Sequence, residues 1–339
     1  MNPAFQRLMA DAARLTRSGD LQRATAAIQA ALGQPLFDEP PARPAVHARP
    51  LQAPLQANDD PAGQFIAGVH HEAGAQRGYK LYVPPGRDGR PAPLVVMLHG
   101  CKQDPDDFAA GTAMNEAARE RGFLVLYPAQ SQQANPSRCW NWFKHNHQER
   151  DRGEPRLIAG MTRDVMKRHD VDPRRVYVAG LSAGGAMAAI VGAAYPDLYG
   201  AVCVHSGLAA GAATDLKGAL QAMKTGAAAA RACKSPPTIV FHGDGDTIVH
   251  PVNGEQVVAA RAGQADALIE SAVSAGGRRY STHTYREPGG RVVAEHWVIH
   301  GAGHAWAGGS ARGTYTDPKG PDATAEMLRF FFANPLHPA

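Results

Sequence analysis

The stretch Gly180-Leu181-Ser182-Ala183-Gly184 constrains this chain more than any other. The apolar run Val176-Tyr177-Val178-Ala179 precedes it, and the small-residue run Gly185-Ala186-Met187-Ala188-Ala189-Ile190 follows. This pattern predicts a buried strand that breaks on a sharp turn and re-enters as a helix. The glycines fit the turn, because side chains two residues either side of the serine would collide with neighbouring backbone. Such a turn holds the Ser182 Oγ above the sheet. A helix starting at Ala183 aims free N–H groups at the same spot. A serine so placed is predicted to be a nucleophile.

A nucleophilic serine needs a base, an acid to orient that base, and donors for an oxyanion. Upstream, Leu94-Val95-Val96-Met97-Leu98 reads as a buried strand and runs into His99-Gly100-Cys101-Lys102-Gln103. The loop after this strand predicts the Cys101 N–H as one oxyanion donor, with the Ala183 N–H as the other. Downstream, Thr238-Ile239-Val240-Phe241 leads into His242-Gly243-Asp244-Gly245-Asp246, and His296-Trp297-Val298-Ile299 leads into Gly301-Ala302-Gly303-His304. Ser182, Asp246 and His304 thus each follow the carboxyl end of a predicted strand, where open α/β sheets carry their sites. The order serine, aspartate, histidine is that of the α/β-hydrolase fold.

Two of these roles have rivals. Asp244 lies two positions from Asp246. Asp246 is preferred because it sits three residues past the glycine and is followed by Ile248-Val249, which leaves Asp244 to brace the turn. His205, His242 and His300 also lie near strand ends. His304 is preferred as base because small residues precede it on a loop able to reach over the serine.

With these residues in place, a resemblance becomes specific. Leu98-His99-Gly100-Cys101, Cys139-Trp140-Asn141-Trp142, Gly180 to Met187 and Gly303-His304-Ala305-Trp306 together resemble the poly(3-hydroxybutyrate) depolymerase family of esterases. That family also contains feruloyl and acetylxylan esterases, and the similarity runs from about Phe65 to Phe332. The resemblance implies Ser182, Asp246 and His304 as a catalytic triad, with Cys101 and Ala183 as oxyanion donors and no cofactor. It also implies bridges Cys101–Cys139 and Cys203–Cys233. The alternative is four reduced thiols, with Cys203 a small hydrophobe in Ala201-Val202-Cys203-Val204. The implied substrate is poly- or oligo-(3-hydroxybutyrate), with feruloyl or acetyl-carbohydrate esters next. An acyltransferase using the same triad is a further alternative. Secreted members begin with a signal peptide. Met1-Asn2-Pro3-Ala4-Phe5 opens no apolar segment, so a cytoplasmic location is expected, with secretion the alternative.

The rest of the chain sets the frame. Its 339 residues suit one large domain plus an appendage. The formal charge of +4 is spread out, which argues against nucleic acid. No uninterrupted apolar stretch is long enough to span a membrane, and no Cys/His cluster has zinc spacing. Residues 1–33 read as a helical pair, 34–62 as a proline-rich linker and 63–339 as the catalytic α/β domain. Phe5, Leu8, Met9 and Leu15 form an apolar stripe expected to pack on the catalytic domain or a second subunit, with docking on a polymer surface the alternative. Strands are predicted at Tyr79–Val83, Leu94–Leu98, Phe123–Tyr127, Val176–Ala179, Ala201–His205, Thr238–Phe241 and Glu295–Ile299. Helices are predicted at Leu157–Arg168, Ala183–Ala194 and Asp322–Phe332. Such alternation gives a mostly parallel sheet flanked by helices. Trp140, Trp142 and Trp306 are candidates to line a substrate groove, or else to fill core. Gly207 to Pro237 reads as a partial cap or a packed helical excursion.

Overall fold

The structure, a computed structural model, describes residues 62–72, 74–86, 89–227, 235–263 and 267–336. The expected helical pair at 1–33, nearly all of the linker at 34–62 and the apolar stripe therefore lie outside the described residues.

The central strands are apolar on both faces, as strands sandwiched between helices must be. Ala92–Leu98 (β3), Leu124–Pro128 (β4) and Ala201–His205 (β6) are buried along their whole length. They join Val171–Leu181 (β5), Thr238–Gly243 (β7) and Val292–Ile299 (β10) in a parallel block. Antiparallel strands extend it on both sides. Gln64–Glu72 (β1) and Ala75–Val83 (β2) add beyond β4, and Arg279–Arg286 (β9) and Ala267–Val273 (β8) add beyond β10. The ten-stranded order is β1-β2-β4-β3-β5-β6-β7-β10-β9-β8.

Alternate residues of each strand serve two cores. Leu94, Val96 and Leu98 face Gly153–Arg168 (α3), Ala183–Ala194 (α4), Leu216–Thr225 (α5) and Val252–Ala262 (α6). Val95 and Met97 face Pro105–Thr112 (α1), Met114–Arg121 (α2) and Ala323–Ala333 (α7). This is the α/β-hydrolase architecture.

Strand order also fixes where the site lies. From β3 the chain steps outward to β4, then crosses back over β3 to β5 and proceeds the other way. The reversal opens a crevice between the carboxyl ends of β3 and β5. The loops after β3 and β5 are the ones predicted to carry the oxyanion donors and the serine.

Candidate active site

Ser182 occupies a turn that few residues tolerate. Its backbone has φ 59° and ψ −120°, between the last residue of β5 and the first of α4. A non-glycine residue in that region is strained and persists only when its surroundings hold it. The Ser182 N–H donates to the His205 carbonyl (2.8 Å), and its own carbonyl accepts from the Ala186 N–H (2.9 Å). The flanking glycines let other backbone come close. A methyl on Gly184 would overlap the Leu98 carbonyl, and one on Gly180 would overlap Gly184 itself. The end of β3 is thereby pressed against the start of α4.

The loop after β3 is held from several sides. His99 is buried, and burial pushes its imidazole down to about 4 despite its hydrogen bond to the Gly100 carbonyl. The Gln130 N–H donates to His99 Nε2 (3.1 Å), so Nδ1 carries the proton and donates to the Gly100 carbonyl (2.8 Å). The Gln103 N–H donates to the same carbonyl (3.3 Å). In a trans peptide the N–H points opposite to the C=O. Two donors on the Gly100 oxygen therefore turn the Cys101 N–H the other way. Gln103 Oε1 accepts the Gly100 N–H (2.9 Å), while its Nε2 donates to Asp107 (2.8 Å) and to the Thr314 carbonyl (3.1 Å).

Cys101 and Cys139 form a disulfide, and the Lys102 N–H donates to the Ser137 carbonyl (2.7 Å). The 130–147 segment is in turn organised by Glu154, a buried carboxylate that accepts from Gln130 Nε2 and from the Asn141 N–H and Nδ2. Burial would raise its pKa, but hydrogen bonds from His147, Gln130 and Asn141 outweigh that and lower it. Cys203 is a buried free thiol, so the expected Cys203–Cys233 bridge is not made. Cys203 lies between apolar partners in β6, where a thiol packs as a small hydrophobe. Cys233 itself is outside the described residues.

Asp246 and His304 meet as the sequence predicts. His304 Nδ1 lies 2.7 Å from Asp246 Oδ2. The other oxygen, Oδ1, accepts the N–H groups of Ile248 and Val249, each at 2.9 Å. His242 Nε2 is 3.4 Å from Oδ2. Burial would raise the Asp246 carboxyl, but the hydrogen bonds from His242, His304 and the backbone outweigh it and hold it well below the ordinary range. Asp244 instead takes His300 Nδ1 (2.9 Å) and the Gly301 N–H (2.6 Å) on the exposed side of the loop. It braces the loop that leads to His304.

The three tryptophans do not line a groove. Trp140, Trp142 and Trp306 are 0%, 5% and 1% exposed. Trp306 donates its indole N–H to Thr324 Oγ1 (3.1 Å) and packs against Phe108 and His205. A large apolar ring with one polar handle gains most in a core that supplies a partner for the handle. The sequence names His205 only as a rival base and gives no sign of the bracing roles of Gln103, Glu154 and His205. Gln103 stands within the quoted loop after β3, yet nothing local marks its side chain as a brace. A cavity of about 500 Å³ lies beside Arg77, His147, Glu154 and Arg156, and none of the triad candidates lines it. Among the described residues no cluster of His, Cys, Asp or Glu is arranged to hold a metal, and no helix is long and apolar enough to cross a membrane.

The fold, with a strained serine after β5 and an aspartate–histidine pair after β7 and β10, defines an α/β-hydrolase. A family model described as Esterase PHB depolymerase matches residues 77–287, and the chain belongs to that family. It is 30% identical over 253 residues to poly(3-hydroxyalkanoate) depolymerase C of Paucimonas lemoignei, across 70% of this chain and 58% of that protein. It is 30% identical to feruloyl esterase B of Thermothelomyces thermophilus, across 52% of this chain and 67% of the relative. A probable acetylxylan esterase A of Aspergillus clavatus is 27% identical, across 55% and 66%. The chain thus spans less than two thirds of the depolymerase's length. An acetyl xylan esterase structure from Aspergillus awamori shares the fold, with a TM-score of 0.60 at 20% identity, covering 76% of this chain and 94% of that one.

Proposed function

We propose that this chain is a serine carboxylesterase that works through an acyl-enzyme on Ser182. The observation that carries the reading is the 2.7 Å pair between His304 Nδ1 and Asp246, on loops that follow neighbouring strands of the sheet that presents Ser182. With Nδ1 committed to the carboxylate, Nε2 is left to take the Ser182 proton as Oγ attacks the ester carbonyl. Asp246 fixes that tautomer and steadies the imidazolium that forms. The N–H groups of Cys101 and Ala183 receive the oxyanion. The first is turned away from the doubly hydrogen-bonded Gly100 carbonyl; the second belongs to the first turn of α4, whose N–H groups have no partner within the helix. His304 then protonates the leaving alkoxide, and water repeats the sequence on the acyl-enzyme.

The substrate class we propose is poly- or oligo-(3-hydroxybutyrate). Its support is the depolymerase relative, which matches a larger share of this chain than the feruloyl and acetylxylan esterases do. Those two relatives favour a second reading, an esterase of feruloylated or acetylated carbohydrate. Rates on hydroxybutyrate oligomers, methyl ferulate, acetylated xylan and p-nitrophenyl butyrate test both, with phosphonate labelling mapped by mass spectrometry. Label on Ser182 with fastest turnover of the oligomers supports the first reading. Faster turnover of ferulate or xylan esters replaces it with the second. Acyl transfer to an added alcohol in preference to water would make the protein a transferase. Label absent from Ser182 would overturn the mechanism.

A further inference from the structure

His205 ends β6 and is fully buried, with no part in the chemistry described above. Its carbonyl accepts the Ser182 N–H (2.8 Å). Its ring reaches the other side of the site. Nε2 accepts the Ala307 N–H (3.0 Å), so Nε2 carries no proton, and Nδ1 faces Ser206 Oγ (3.1 Å). The ring stacks on Trp306 at 4.9 Å and 25°, and on Phe241 at 5.6 Å and 16°. Trp306 and Ala307 are the second and third residues after His304. One side chain and its own carbonyl therefore tie the serine turn to the segment that carries the base.

We propose that His205 is a positioning residue that sets His304 relative to Ser182. The inference rests on the esterase reading. A histidine suits the place because it combines a flat ring for the stack with an acceptor that reaches Ala307. Phenylalanine offers only the stack, and a buried N–H without an acceptor would move to find one. Around the ring, the titratable groups are His242, His304 and Asp246. Burial first, and then the positive charge that His242 and His304 would carry, hold His205 neutral, so the acceptor is not lost to protonation. A base held by such a tie loses rate steeply when released, since a displacement of about 1 Å costs about 10²-fold in turnover.

The test compares His205→Phe and His205→Gln with the native protein, using p-nitrophenyl butyrate and kcat per folded molecule from calorimetric enthalpy. In His205→Phe, kcat should fall about 10²-fold while KM changes less than about threefold. The Gln side chain reaches about as far as Nε2, so His205→Gln should recover at least about tenfold of that loss. A role in folding alone would lower the folded fraction and leave kcat per folded molecule unchanged. That result overturns the proposal, as does equal impairment of the Phe and Gln variants. If His205→Phe does not fold, His205→Asn takes its place, because its amide is too short to reach Ala307. An unchanged kcat per folded molecule there is equally decisive against the proposal. A native protein that neither hydrolyses the ester nor takes a phosphonate on Ser182 would overturn the esterase reading itself, and the inference with it.

Discussion

Mild acid should destabilise this protein well before its carboxylates titrate. Three of the buried imidazoles, those of His99, His205 and His296, are held below their ordinary value. Burial pushes His99 down to about 4 and His296 down to about 3. His205 is driven well below the ordinary value by burial and by its neighbours His242 and His304. In the unfolded chain each would titrate near 6.5. Below that value the unfolded state takes up protons that the folded state refuses, so stability falls as pH falls. The loss begins near pH 6.5 and ends only when pH passes the folded values. Each group contributes a slope of about 1.4 kcal/mol per pH unit, and three give about 4. Between pH 6.5 and 5 the loss reaches about 6 kcal/mol at most, comparable with the whole stability of many domains. Asp246 and Glu154, whose pKa values are lowered by folding, add stability that persists above the unfolded carboxylate range near 4 and is lost only below it. They leave this window to the histidines. At about 2 °C per kcal/mol for a chain of this size, Tm should drop by about 10 °C. Scanning calorimetry from pH 7.5 to 5, in two buffers of different ionisation enthalpy, reads both Tm and proton uptake. A Tm constant within about 2 °C, or uptake of less than about one proton on unfolding at pH 5, would refute the reasoning.

Three further outcomes follow from the site. Asp246→Asn should cut kcat about 10³-fold or more, because it disturbs the tautomer of His304, whereas Asp244→Asn should cost less than about threefold; steady-state kinetics distinguish them. Reducing Cys101–Cys139, which closes a loop with a sequence separation of 38, should lower stability by about 4 kcal/mol and slow turnover by loosening the Cys101 N–H, as read by Tm and kcat with and without dithiothreitol. Gly184→Ala should cost about 1–3 kcal/mol and at least tenfold in kcat, since its methyl must displace the Leu98 carbonyl; native Tm and rate would show the approach to be slack.

The sequence made the centre of the fold legible and its margins obscure. β3 to β7 and β10 are apolar runs bounded by turn residues, and each was readable because both faces are buried. β8 and β9 carry no such signal. Leu268, Ile269 and Val273 are more than half exposed, and Arg279 to Arg286 alternates nothing that a core would select. Ser182, Asp246 and His304 stood out because each follows an apolar strand at a glycine-marked turn. The sequence left Trp140, Trp142 and Trp306 open between groove and core, because an aromatic cluster near a loop looks the same in either place; all three are buried. Gln103, Glu154 and His205 depend on partners far away in the chain, such as Thr314, Asn141 and Ala307, which no local pattern announces.

The sheet order has a consequence for the chain during its synthesis. β5 ends at Leu181 and the serine turn follows at once, but β10 and the base come more than a hundred residues later. β10 must then pair alongside β7 before Asp246 and His304 can meet. Pairings so distant along the chain are closed late and slowly. On the proposed mechanism, a ribosome-bound or truncated chain ending before His304 would display the serine without its base, and hydrolysis would begin only with the last part of the domain.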